Sequence, residues 1–211
     1  MLKENQWHAI QIKRCPVEQQ LYKQIIESGN FITKKYKKGQ IIFFQNDQAE
    51  QSCIIKNGKV RVYTQNNKNE TMTLFQCSTH NQCPISTLSI LTGQRLIATA
   101  EALEDTEVFV LSKVAIENML TKSKAYQEYI FKDIFSVVNI LRTLLEESSF
   151  MSTKERIKCF LSRQGSDVVN ITHSTLSGEI GTNRVVVSRV LKELENDGCI
   201  RLKRGKIFLQ P

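Results

Sequence analysis

Between Thr172 and Gly198 the chain reads THSTLSGEIGTNRVVVSRVLKELENDG, and no other stretch restricts its fold so tightly. Thr172 can accept from the free amides at the start of a short helix whose apolar positions are Leu176 and Ile180. Gly181 follows, a residue that takes positive φ at no steric cost and so suits a tight turn. Thr182 or Asn183 then opens another helix that runs to about Asn196. In that helix Val186, Val190, Leu191 and Leu194 fall at inward spacing. Asn183, Arg184, Val185, Ser188 and Arg189 are left on or near its exposed side. Where two helices meet at such a turn, the first braces the second and the second can lie in the major groove of double-stranded DNA. An arginine on that face can bond guanine O6 and N7 together. Thr172, His173, Thr182, Asn183, Arg184, Val185, Ser188 and Arg189 are therefore candidate DNA-binding residues. Lys192, Lys203 and Arg204 join them as candidates for phosphate, which sets affinity and register rather than sequence choice.

The flanks fit this reading. Thr153 is expected to cap a helix that runs through Arg163 with Ile157, Phe160 and Leu161 inward, and Val168–Ile171 reads as extended. Cys199–Leu202 and Lys206–Leu209 can pair around Arg204-Gly205 as a hairpin wing. From Ser148 onward eleven Lys/Arg stand against six Asp/Glu, so five of the eight net positive charges lie there. Charge alone favours a solvated lysine-rich surface; with the motif and the wing it suits a phosphate-binding face.

Ahead of this region the patterning changes. Pro16–Asn30 suggests a short helix with Leu21, Ile25 and Ile26 on one face. From Phe31 to about Val110, short β-rich runs cover Gln40–Phe44, Ser52–Ile55, Val60–Thr64, Met72–Phe75, Leu96–Ala100 and Val108–Leu111. The turns between them include Lys38-Gly39, Asn46-Asp47, Asn57-Gly58 and Asn66–Asn69, a spacing typical of a sandwich, barrel or β-roll. Ser112–Glu147 reads as helical. Its apolar stripe, Ile130, Ile134, Val137, Val138, Leu141, Leu144 and Leu145, is widened by Phe131, Phe135 and Ile140. So broad a stripe points to packing on two sides, with Ile130, Ile134, Val137, Val138, Leu141 and Leu145 in the seam of a homodimer. A helix buried wholly within one chain is the alternative. The expected organisation is α+β: a sensor domain over residues 1–120, a dimerisation helix over 121–147 and a DNA-binding domain over 148–211.

Several function classes are excluded. No apolar run approaches the ~20 residues that cross a bilayer. Glu4 and Gln6 sit where a signal peptide needs its apolar segment, so a cytoplasmic protein is expected. Cys15, Cys53, Cys77, Cys83, Cys159 and Cys199 show no zinc-ligand spacing, and in the cytoplasm they are expected to stay reduced; no metal site is assigned. Paired catalytic carboxylates, a glycine-rich phosphate loop and a recognisable Ser/His/Asp arrangement are all missing, so an enzyme is not expected. The competing reading is a sensor module that acts through protein partners and uses its helix pair only for packing.

GTNRVVVSRVLK (Gly181–Lys192) and the wing IRLKRG (Ile200–Gly205), with KKGQIIFFQND and IIKNGKVRVY upstream, resemble the cyclic-AMP receptor / fumarate-nitrate regulator (Crp/Fnr) family. The resemblance runs from about Phe31 to the end. It implies a cyclic-nucleotide-binding-like β-roll, a dimerisation helix and a winged helix-turn-helix acting at promoters, hence with RNA polymerase. Two departures matter. The family's recognition helix carries an acidic residue where this chain has Val185; a glutamate would accept from cytosine N4, whereas valine can only lie against a thymine methyl. In the sensor, QCPISTLSILTGQRLIATAEA lacks the Gly-Glu pair, and Arg95 is followed by Leu96 rather than Ser/Thr, which argues against cyclic AMP. Only Cys15 lies near the place of the family's iron–sulfur cysteines, which argues against a cluster. The effector and any cofactor are left unassigned. Cys77 and Cys83, with His80 between them, are a candidate thiol switch, favoured over metal or haem ligation; the plainer reading is a polar loop with two ordinary cysteines.

Overall fold

The computed structural model of the protein describes residues 16, 17 and 19–210, so Trp7, His8 and Cys15 lie outside it. Residues 16–65 and 74–141 form one compact unit, and residues 66–73 and 142–210 form another.

The first unit opens with α1 (Gln19–Ser28), which buries Leu21 and Ile25 one turn apart. The roll has two sheets. One, ordered β1-β7-β3, comprises β1 (Phe31–Tyr36), β3 (Gln51–Asn57) and β7 (Thr106–Ser112); the other, ordered β2-β6-β4-β5, comprises β2 (Ile41–Phe43), β4 (Lys59–Gln65), β5 (Thr71–Ser78) and β6 (Thr99–Ala102). In β5 alternate residues, Thr73, Phe75 and Cys77, are buried, as the two-residue period of a strand with one wet face requires. Gly58, at φ +104 between β3 and β4, lets Thr106 approach; a Cβ there would fall 2.5 Å from the Thr106 hydroxyl.

Three expectations change here. FITKKY forms β1, which the sequence did not mark as a strand: a lysine-rich edge paired on one side to β7, with Phe31 opposite Leu111. The strand expected over Leu96–Ala100 begins only at Thr99. Between them Pro84–Thr92 forms a helix, α2, opened by Pro84 and closed by Gly93 at φ +71, whose N–H donates to the Ser89 carbonyl.

After β7, Ser112 caps α3 (Lys113–Lys122) by accepting from the Ala115 N–H. Extended backbone at Ser123 breaks the expected continuous helix, and its hydroxyl accepts from the Tyr126 N–H, so the long helix α4 runs Lys124–Phe150. Tyr126, Tyr129 and Ile130 of α4 enter one core with Val17, Leu21, Ile25, Ile54, Leu111 and Ile116. This corrects the seam assignment of Ile130: it is buried in its own chain, and Ile134 packs against the same core. The exposed apolar face of α4 is instead Phe131, Phe135, Val138, Leu141 and Leu145, which are 72, 67, 54, 41 and 68 % exposed.

In the second unit α5 (Thr153–Arg163) is capped one residue earlier than expected. Ser152, not Thr153, accepts from the Glu155 N–H, and the Glu155 carboxylate accepts back from the Ser152 N–H, a capping box. Then follow β8 (Val168–Asn170), α6 (His173–Glu179), α7 (Arg184–Asn196), β9 (Ile200–Lys203) and β10 (Lys206–Leu209), the strands ordered β8-β10-β9. Ile157, Leu161, Leu176, Val187, Val190, Leu191, Leu194 and Ile207 close a dry core beneath α6 and α7.

Candidate nucleic-acid interface

The Thr172 hydroxyl accepts from the Thr175 N–H and starts α6. After Ile180 the backbone turns through Gly181 at φ +64, and Asn183 starts α7 by accepting from the Val186 N–H at 2.9 Å. Arg156 of α5 steadies the turn, its Nη1 donating to the Ile180 carbonyl at 2.9 Å. Of the predicted interface residues, Thr172 and Asn183 therefore have capping work of their own. His173 and Ser188 are bonded to each other, Nδ1 to Oγ at 2.9 Å.

Val187, not Val186, is the fully buried valine of α7, and Val186 is half-buried. That choice fixes the helix rotation. Arg184, Val185, Arg189 and Lys192 are exposed on α7, with Val185 78 % accessible. A large apolar side chain held so far out of the core serves no packing role within this unit. Arg189 and Lys192 pair with Glu193 and Glu195 at 3.8 and 2.8 Å. Such exposed pairs are worth only a few tenths of a kcal/mol, so exchanging them for DNA phosphate or base contacts costs little.

The wing adds a second basic edge. Lys203 and Arg204 are exposed as expected, and Gly205 turns the hairpin at φ +71. Arg201 was not predicted: Ile200 points in, so Arg201 and Lys203 share the outer face of β9, both over the Phe208 ring at 5.1 and 5.6 Å. Strand alternation carried that signal.

Two domain models match the chain: a cyclic nucleotide-binding domain over residues 33–123 and a Crp-like helix-turn-helix domain over residues 140–210. Among curated relatives, the cyclic AMP receptor protein of Thermus thermophilus is 26 % identical over 181 residues, covering 84 % of this chain and 83 % of that one. A transcriptional regulator of the Crp/Fnr family from Eubacterium rectale superposes with a TM-score of 0.79 at 26 % identity, over 90 % of this chain and 89 % of that one.

The chain belongs to the Crp/Fnr family.

The anaerobic regulatory protein of Bacillus subtilis is 25 % identical over 189 residues, 83 % of this chain and 79 % of its own. The c-di-GMP-responsive global regulator of Xanthomonas campestris shares the fold, with a TM-score of 0.81 over 90 % of this chain and 99 % of that one at 14 % identity. As Crp/Fnr members are, the protein is a transcription regulator with a helix-turn-helix DNA-binding domain.

In the sensor half of this Crp/Fnr chain, Arg95 and Leu96 differ in exposure. Arg95 is exposed and donates to the Asn46 carbonyl at 2.8 Å, while Leu96 is buried. Leu96 and Ser86 help line a cavity of about 330 Å³ with Tyr36, Phe43, Phe44 and Ser52. The candidate thiol loop does not present its sulfurs. Cys77 faces inward on β5 and Cys83 precedes α2, with its N–H on the Cys53 carbonyl; both are buried, which deprives a surface switch of its accessible thiolate. His80 sits in the tight turn between them at φ +68, its ring 4.4 Å from that of Tyr22. Among the described residues no disulfide and no metal-holding cluster forms.

Proposed function

We propose that the protein binds a two-fold symmetric promoter site in double-stranded DNA as a homodimer, acts on RNA polymerase there, and does so without responding to cyclic AMP. The observation that carries this is the exposed edge of Arg184, Val185 and Arg189, with the half-buried Ser188 beside it, held on a helix whose opposite side is locked into a dry core. Rigid presentation of a few side chains is what base reading needs. The exposed face of α4 supports the dimer, because isolated soluble chains seldom leave five large apolar residues uncovered along one helix. Leu96 stands where the cassette has Ser/Thr, and Arg95 donates to the Asn46 carbonyl, which supports indifference to cyclic AMP. A promoter-binding role puts the protein in the cytoplasm.

Selection of bound duplexes from a random pool tests the reading. A palindromic site with half-sites about one helical turn apart is expected, with binding that weakens steeply with salt and does not change on adding cyclic AMP. Equal affinity for selected and random duplexes would overturn it.

A further inference from the structure

A chain of buried polar side chains runs from the cavity wall to the long helix. Ser52 and Ser86 line the cavity. The Ser86 hydroxyl donates to Ser52 Oγ at 3.1 Å, and Ser52 Oγ lies 2.7 Å from Thr87 Oγ1. Thr87 gives its own proton to the Cys83 carbonyl at 2.8 Å, so it is left to accept, both from Ser52 and from Gln82 Nε2 at 2.9 Å. The other proton of that amide goes to the Tyr126 hydroxyl at 2.8 Å, and the Gln82 backbone N–H donates to the Tyr129 hydroxyl at 3.2 Å. All six residues are at most 2 % exposed. Burial pushes the Tyr126 phenol far above its ordinary range, so it stays protonated at any working pH.

We infer that Gln82 is a positioning residue that couples the cavity wall, through Ser52, Ser86 and Thr87, to α4 through Tyr126 and Tyr129. Gln82, Thr87, Tyr126 and Tyr129 are buried away from the cavity's lining, so each constrains the next, and buried networks of this kind respond as units. A molecule that takes the Ser52 hydroxyl as its own partner would withdraw a donor from Thr87, and one that takes the Ser86 hydroxyl would withdraw the donor to Ser52. Gln82 would then reset its bonds to the first turns of α4, a helix shared with the DNA-binding end of the chain. Val17, Leu21, Ile25, Ile54, Leu111 and Ile116 share a core with the start of α4 and hold it in place without Gln82; the polar contacts add an orientation that can change.

Amide hydrogen exchange on the full chain tests this without DNA. Thr87→Val keeps the shape and removes the acceptor; exchange over residues 126–133 of α4 should quicken by at least about fivefold, the worth of roughly one hydrogen bond. A change confined to α2 would overturn the inference. If Thr87→Val does not fold, Tyr126→Phe read at the amides of α2 gives the reciprocal test, with the same two outcomes. A second arm rests on the proposed DNA binding: Thr87→Val and Tyr126→Phe should shift affinity for the selected site non-additively, by a factor of roughly three or more. That non-additivity should vanish in a Gln82→Leu background, and strictly additive effects would count against coupling. A parent protein that fails to select DNA refutes the DNA reading, and the exchange result alone then decides this one.

Discussion

His173 Nδ1 and Ser188 Oγ stand 2.9 Å apart, so the first residue of α6 is tied to the second turn of α7. The bond fixes how far the exposed edge of α7 projects. Ser188→Ala should lower the stability of the DNA-binding domain by about 1 kcal/mol and weaken the selected site, with His173→Ala doing the same. Because both variants break one bond, the double variant should be scarcely worse than the worse single one; thermal unfolding and titration would reveal simple addition instead.

Along the DNA-facing edge the residues should separate by role. Arg189→Ala is expected to cost about 1–3 kcal/mol on the selected site and to relax preference at one position. Lys203→Ala should weaken every sequence alike and reduce the salt slope by about one. Val185→Glu should move the preference at its base pair toward cytosine, because a carboxylate accepts from N4. Repeating the selection with each variant checks all three; an unchanged site for Val185→Glu would remove that residue from the interface.

Two lysine scans of α4 should give opposite results. Phe135→Lys with Leu141→Lys places charge on the exposed face and should yield a folded monomer with little affinity for the palindromic site. Ile130→Lys puts an uncompensated charge into the core beside Ile54 and Ile116 and should unfold the first unit instead. Sedimentation of the first variant as an intact dimer would place the seam elsewhere.

Acid should loosen the DNA-binding domain through two exposed carboxylates. Hydrogen bonds from the Ser152 backbone and hydroxyl hold Glu155 below its ordinary value, and the bond from Lys154 does the same for Asp197. A carboxyl whose pKa is depressed by folding adds stability above its unfolded pKa, and that contribution is lost as pH falls through the folded one. The melting temperature should therefore decline as pH drops below about 5, with a shallower decline in Ser152→Ala. Superimposable pH profiles for the two proteins would show that the capping box does not titrate with folding.

The buried thiols predict an order of reactivity. Under native conditions, among the thiols of the described residues, a reagent should label the half-exposed Cys199 first. Burial raises the pKa of Cys159 and should slow it, and Cys77 and Cys83 should react only as fast as the roll opens. Site-resolved mass spectrometry reads this order. Early labelling of Cys77 or Cys83, with a matching change in DNA affinity, would restore the thiol switch.

The helix-turn-helix was legible because three independent signals coincide: capping residues Thr172 and Asn183, the positive-φ glycine, and apolar spacing. Even there the run Val185-Val186-Val187 offered no contrast, and Val187 was found inside only by contact. Helix α2 went unread because it is buried nearly all round and lacks the polar face that makes periodicity visible; its Pro84 and Gly93 punctuation was the remaining clue. The lysine-rich β1 hid for the opposite reason, since an edge strand buries little. Ile130 shows a more general limit. A stripe identifies which side chains avoid water, but not which body covers them.

The length of α4 has a mechanical consequence. Its 27 residues make a helix of about 40 Å. In the proposed homodimer the exposed apolar face from Phe131 to Leu145 would run about 21 Å along it, roughly four turns. A seam of that length would fix the register of one helix against its partner's, so that losing one side chain from it would weaken the pairing without letting the helices slide.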